Sequence, residues 1–190
     1  MSAARPLSER PADVSASLHL PDRCDAELRM ISTAYLGLGS NVNARSNILA
    51  GIVALRGSFD NIRLSPAYQT RAVGFDGDDF INLVAAIETT LQPLELKQFL
   101  NELEDHHGRA RNQSKFSNRT LDIDILLYDD LYLVSPLLKI PRADIMTFTH
   151  VLKPLADLAP GLLHPVCRIT IAEIWQAHSA KGTRFKRINL

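Results

Sequence analysis

The segment NRTLDIDILLY, residues Asn118–Tyr128, constrains the fold more than any other part of the chain. From Leu121 to Ile125, apolar and acidic residues alternate without a break. A period of two marks a β-strand. In a strand, Leu121, Ile123 and Ile125 share one face, and Asp122 and Asp124 share the other. The two Asp Cα atoms then lie roughly 7 Å apart. Carboxylates side by side repel, and burying even one unpaired charge is costly. A hydroxyl, an arginine or a metal ion would offset the cost. The plain alternative is an edge strand whose polar face lies in water.

Around this strand the chain alternates between strand-like and helix-like stretches. Thr33–Gly39 reads as a strand, and Ser40-Asn41 turns into a helix over Ala44–Leu55 with a stripe of Ile48, Leu49, Ile52, Val53 and Leu55. Asn61–Gln69 is a strand broken by Pro66, which suits an edge or bulge. Ala72–Asp79 is a loop by its Gly and Asp content, and Phe80–Glu88 is a strand. Pro93–His107 is a helix with Pro in its first turn and a stripe of Leu96, Phe99, Leu100 and Leu103; Gly108 ends it. Arg109–Asn118 is a polar, basic loop, and Phe148–Leu158 and Ile171–His178 are further helices. The order is βαββαβ with additions. It predicts an α+β, ferredoxin-like core: an antiparallel sheet with helices packed on it.

With 190 residues, the chain has enough length for one well-packed domain, expected over residues 31–190. Residues 1–30 carry three prolines and many small polar residues, and read as a flexible leader. They lack the apolar stretch of a secretory signal, and their acids argue against an organellar transit peptide. Met30 is an alternative start. Lys and Arg total 21 and so do Asp and Glu, so no general attraction to nucleic acid or anionic membrane is implied. No apolar run reaches membrane-spanning length. Cys24 and Cys167 show no pairing motif or metal-type spacing, which fits a reducing, cytoplasmic setting. Nothing in the sequence sets an oligomeric state.

Three stretches invite chemical readings. GLGSN at Gly37–Asn41 resembles a phosphate loop but lacks both G-x-G-x-x-G and the Lys-Ser/Thr of a P-loop. Tight packing at a strand–helix turn explains it better. His106-His107 at a helix end suit the open carbonyls and the dipole better than a metal. The basic loop is more telling. Arg109, Arg111, Lys115 and Arg119 fall within eleven residues, directly before Asp122 and Asp124. Polyphosphate bound through Mg²⁺ needs both elements, carboxylate oxygens for the metal and arginine forks for the phosphates. Two metals about 4 Å apart, bridged by acids, favour in-line attack on phosphorus. The paired acids are therefore expected to form a metal site.

Several motifs occur in a fixed order: YLGLGSN at Tyr35–Asn41, SPAYQT at Ser65–Thr70, Phe80-Ile81-Asn82 followed by AAIET, Glu104 with Gly108-Arg109-Ala110-Arg111, RTLDIDILLY at Arg119–Tyr128, and PLADLAP at Pro154–Pro160. Together they resemble the 6-hydroxymethyl-7,8-dihydropterin pyrophosphokinase family of folate biosynthesis. The resemblance implies transfer of pyrophosphate from ATP to the hydroxymethyl oxygen of the pterin, with release of AMP. It implies that Asp122 and Asp124 hold two Mg²⁺ ions and that Arg109 and Arg119 steady the transferring phosphates, with Arg111 close by. It also implies a pterin pocket lined by Thr70, Val73, Phe80 and Asn82, and ATP contacts from Asn101 and Glu104. The 74–79 and 109–118 loops would act as lids.

The chain departs from the family pattern in places. Phe116-Ser117-Asn118-Arg119 replaces Trp-Gly/Ala-Pro-Arg, and Pro141-Arg142 replaces Pro-His. Phe148 and His150 stand where the family has an Arg and a pterin-stacking Phe, and Asn101 replaces a longer Gln. Arg142 brings a fixed positive charge to a phosphate contact. His150 offers a ring for stacking, and Phe116 keeps an aromatic face beside the pterin. An active, divergent pyrophosphokinase is the expected function. A pterin- or nucleotide-binding paralogue with weakened catalysis, and an enzyme for a related pterin, are the alternatives. A polymerase-palm nucleotidyl transferase would also carry acids on such a sheet, but the neutral charge argues against it.

Overall fold

The computed structural model describes residues 30–108, 117–179 and 185–190. Its main sheet is built from β1 (Ser32–Ser40), β2 (Ile62–Leu64), β3 (Ala67–Thr70), β4 (Phe80–Thr89), β5 (Asp122–Tyr128) and β8 (Lys186–Ile188). The strand order is β5-β1-β4-β3-β8, with β2 pairing β4 as well, and every pairing is antiparallel. Helices α1 (Ala44–Ser58) and α2 (Pro93–His106) connect the strands in the expected βαββαβ order. The additions are a two-stranded hairpin of β6 (Leu133–Val134) and β7 (Lys139–Ile140), short helix α3 (Asp144–Thr147), helices α4 (Thr149–Leu158) and α5 (Ile171–Ser179), and edge strand β8. The sequence reading missed the hairpin, α3 and β8.

Both faces of the sheet bury side chains, but not over the same length. One face packs against α1 and α2 through Leu36, Leu38, Ile48, Leu96, Leu100, Leu121, Ile123 and Ile125. The alternation of β5 therefore sends its apolar residues where expected. In α1 the stripe is narrower than the reading had it. Ile48, Ile52 and Leu55 are buried, whereas Leu49 and Val53, one step round the helix, are exposed. The other face packs against α4 and α5 through Tyr35, Val84, Ala86, Leu126, Leu127, Leu152 and Leu155. That second core covers only one end of the sheet. Asp122, Asp124, Asn82, Gly37 and Gly39 lie on the other end, where a cavity opens.

Two irregularities shape the sheet. Across Ser65-Pro66 the register against β4 shifts by one, from Leu64↔Ala85 to Tyr68↔Asn82. Pro66 has no N–H for the ladder. Beside it the Ser65 hydroxyl accepts from Val84 N at 2.9 Å and donates to Pro66 O at 2.8 Å. In β5 the register against β1 shifts between Leu36↔Ile125 and Tyr35↔Leu127, so Leu126 is an extra residue, a β-bulge. The bulge places Leu126 and Leu127 in the same core and returns Tyr128 to the opposite one.

The end of α2 matches its reading. His106 and His107 each set Nδ1 against the carbonyl four residues back, at 2.7 and 2.8 Å, and Gly108 follows with φ of 77°. Among the described residues no cluster of three or more His, Cys, Asp or Glu residues could hold a metal ion, and no helix is long and apolar enough to cross a membrane.

Candidate active site

The uncovered end of the sheet is a row of three strands. Asp122 of β5 pairs with Gly39 of β1, and Gly39 pairs with Asn82 of β4. One step along, Asp124 pairs with Gly37, and Gly37 with Val84. The glycines of YLGLGSN therefore lie inside a strand, with no phosphate-binding turn at Gly37 or Gly39. They leave the middle of the floor bare. A Cβ on Gly39 would lie 3.2 Å from Asn82 Oδ1, and one on Gly37 would lie 3.2 Å from the Leu126 side chain. Above this floor is a cavity of about 370 Å³.

Ser40 and Asn41 hold the entrance of β5 in place. Both are buried. Ser40 Oγ donates to Thr120 O at 2.5 Å, and the N–H groups of Asn41 and Val42 both donate to Arg119 O. Asn41 Oδ1 accepts from Arg119 N at 2.7 Å, and its Nδ2 donates to Asn118 Oδ1 at 2.8 Å and Asp78 O at 3.3 Å. One side chain thus ties the end of β1, the start of β5 and the 74–79 loop together. On the other wall, Asn82 Nδ2 donates to Thr70 Oγ1 at 2.9 Å. The amide is held in one orientation and keeps its carbonyl oxygen and second N–H for a ligand.

Charge is concentrated around Asp124. Arg142 Nη2 lies 3.0 Å from Asp124 Oδ2, and Lys97 Nζ lies 3.6 Å from Asp124 Oδ1. Arg142 also reaches Asp144 through Nε at 2.7 Å. Burial disfavours the Arg142 charge, but Asp124 and then Asp144 outweigh it and hold the guanidinium above its usual value. His150 stacks on Phe148 with ring centroids 5.2 Å apart. Burial pushes the His150 imidazole below its usual value, with Asp144 pulling the other way, so the ring is neutral around pH 7. Phe80 meets Phe75 edge-on at 6.3 Å. A second cavity of about 200 Å³ adjoins the first, sharing Asp124 and Arg142 and lined also by Lys97, Ser135, Leu138 and Lys139.

Most of the residues expected from the sequence meet here. Thr70, Val73, Phe80, Asn82, Arg119, Asp122, Asp124, Arg142 and His150 all line the larger cavity. Arg109, Arg111, Lys115 and Phe116 lie outside the described residues. Two expected ATP contacts do not reach either cavity. Asn101 is half-buried on α2, outside both linings. Glu104 is fully buried, and its Oε1 accepts the Ile123 N–H at 2.6 Å. Glu104 therefore braces β5 from the helix side. Reasoning from sequence missed Asn41, Lys97, Asp144, Arg71 and Phe75. Asn41 sits inside a quoted motif, yet only the fold reveals its partners; the other four carry no local pattern.

The donor set suits a hard divalent cation. Two carboxylates share one strand face, and Mg²⁺ is commonly held by one or two carboxylates with water and substrate phosphates completing its shell. Both acids line the larger cavity beside Arg119 and Arg142, and Asp124 and Arg142 also border the smaller one.

The family described as 7,8-dihydro-6-hydroxymethylpterin-pyrophosphokinase (HPPK) matches residues 35–160. The chain is similar to the 2-amino-4-hydroxy-6-hydroxymethyldihydropteridine pyrophosphokinase of Aquifex aeolicus, at 35% identity over 153 residues, covering 80% of this chain and 95% of that one. It is 39% identical over 140 residues to the protein of the same name from Pseudomonas aeruginosa, covering 72% and 86%. The chain belongs to the HPPK family. Among solved structures it resembles Plasmodium falciparum HPPK-DHPS wild type with pterin and p-hydroxybenzoate, at a TM-score of 0.65 and 17% identity. That likeness is one of fold. It covers 82% of this chain but 44% of the solved one, so the chain spans less than half of that protein's length.

Proposed function

We propose that this protein transfers the β,γ-pyrophosphate of ATP to the hydroxymethyl oxygen of 6-hydroxymethyl-7,8-dihydropterin and releases AMP. The observation that carries the reading is the position of Asp122 and Asp124. They face a cavity floor shared with Asn82, and Asp124 also borders a second cavity. The acceptor would occupy the larger cavity and the nucleotide the smaller, with the reacting phosphates between them.

Each side chain then has a task. Asn82, oriented by Thr70, presents a donor and an acceptor to the pterin edge. Phe80, Val73 and the Phe148–His150 stack supply apolar and aromatic walls. Neutral His150 adds no charge against the ring. Arg119 and Arg142 bring fixed positive charge to the phosphates. Asp122 and Asp124 would hold Mg²⁺, two ions in this reading, which would neutralise phosphate charge when bound. The hydroxymethyl oxygen forms a bond to the β-phosphorus and gives up its proton to solvent, the bond from that phosphorus to the α,β-bridging oxygen breaks, and AMP departs with that oxygen. Positioning and charge stabilisation supply most of the acceleration.

The test is an end-point assay with the pterin, ATP and Mg²⁺, separating AMP from ADP by chromatography. AMP formed only when pterin and Mg²⁺ are both present is the expected result. ADP instead of AMP, or no nucleotide product despite calorimetric pterin binding, would overturn it. The second outcome would favour a binding role, with Arg142, Phe148 and His150 as the changed positions.

A further inference from the structure

Arg142 is held by two acids in different ways. Its Nε–H points to Asp144 Oδ2 at 2.7 Å, a directed hydrogen bond. Its Nη2 lies 3.0 Å from Asp124 Oδ2 as an ion pair, and the side chain is 39% exposed. Ion pairs this exposed are weak and easily exchanged, and Asp144, at 31%, is no more buried than Asp124, at 23%; what sets the Asp144 side apart is its directed Nε–H bond. The backbone is anchored too, since Arg142 N donates to Leu126 O at 2.9 Å, at the bulge of β5. Lys97 Nζ faces the other oxygen of Asp124 at 3.6 Å. Both oxygens of one proposed metal-binding carboxylate therefore face cations of the protein itself.

We propose that Asp144 is a positioning residue that grips Arg142 by Nε, so that the Nη2 end passes from Asp124 to an incoming phosphate when metal and nucleotide arrive together. This rests on the metal role of Asp124 given above. Before the nucleotide arrives, Arg142 and Lys97 compete with a metal ion for Asp124. The nucleotide's phosphate oxygens draw the guanidinium across and release the carboxylate. Metal and nucleotide then bind with positive coupling, and Arg142 carries that coupling. A guanidinium suits the task because its donors lie in a rigid plane, so one edge stays bonded while another changes partner.

The probe is Mn²⁺, with the free ion followed by electron paramagnetic resonance, alone and with α,β-methylene ATP. Without nucleotide, Arg142→Gln should bind Mn²⁺ about tenfold more tightly than wild type, since one competing charge is gone. With the analogue present that advantage should disappear. Asp144→Asn should weaken analogue binding roughly threefold to tenfold and raise KM for ATP far more than it lowers kcat. Asp144→Glu should restore much of the loss.

Equal or weaker metal-only binding in Arg142→Gln overturns the exchange. Wild-type analogue affinity in Asp144→Asn overturns the positioning role. If Asp144→Asn fails to fold, Arg142→Lys takes its place: metal-only binding should stay weak while analogue affinity falls, and unchanged analogue affinity would sink the proposal. Asp124→Ala separates this inference from the one beneath it. Unchanged Mn²⁺ binding in its analogue complex would remove the metal role of Asp124 itself. Lost binding there, beside an unaltered Arg142→Gln, would remove only the exchange.

Discussion

Glu104 Oε1 accepts the backbone N–H of Ile123 at 2.6 Å, at the single residue between Asp122 and Asp124. Among the described residues, strand β5 has a neighbouring strand on one side only, so its outer backbone groups need other partners. A fully buried carboxylate from α2 meets that need directly beneath the two acids. Replacing Glu104 with Ala should cost about 1–3 kcal/mol of stability, because a buried donor loses its acceptor. Glu104→Gln keeps an acceptor and should lose less. Thermal melts decide this, and an Ala variant that melts like wild type would refute the brace.

Asp122→Ala and Asp124→Ala should each reduce turnover by roughly a hundredfold or more, the scale on which preorganised electrostatic groups act. Both side chains are partly exposed on the cavity floor, so melting temperature should barely change. Comparing kcat with the melt separates the two effects. Near-normal turnover in either variant would contradict the roles given to the pair.

Asn82→Ala should weaken pterin binding by about 1–3 kcal/mol, since the ligand's polar edge would lose its partner. Thr70→Val should weaken it less, because it frees the amide to rotate without removing it. Gly39→Ala probes the same spot from the floor, where the new Cβ would crowd Asn82 Oδ1 at 3.2 Å. Calorimetric titration with the pterin should rank the losses Asn82→Ala first and Thr70→Val last. Unchanged affinity in Asn82→Ala would move the pterin elsewhere.

His150 and His164 both have imidazoles pushed down by burial. The folded state therefore resists a proton that the unfolded chain accepts near pH 6.5. Their contribution to stability is complete above about pH 6.5 and shrinks as pH falls from there toward the lower folded values. The melting temperature should drop between pH 7.5 and pH 5.5, and His150→Gln should reduce that drop without abolishing it. A drop of equal size in the variant would mean that His150 does not contribute.

The period-two pattern of β5 and the periodic stripe of α2 were readable because each encodes one face of one element. The same patterns left out what depends on two elements at once. Lys97 of α2 meets Asp124 directly and Asp144 of α3 is linked to it only through Arg142, and neither lies in a recurring spacing. Strand β8 has three residues and takes its place from the edge that β3 offers. The α1 stripe was read too wide because Leu49 and Val53 are apolar but face outward. Glu104 was expected at ATP from the family resemblance alone; no pattern in the sequence announces its full burial or its bond to Ile123 N.

The extra residue in β5 changes how the chain can be shortened. Deleting Leu126 would restore regular pairing and still leave Ile125, Leu127 and Tyr128 on the sides they now occupy. Both cores would survive, short of one leucine. The lost carbonyl, however, is the one that tethers the Arg142 backbone. A lineage that dropped this residue would keep a folded sheet and release the arginine beside its acids. Leu126 thus serves two ends at once, a buried side chain in the second core and a carbonyl that fixes the Arg142 backbone.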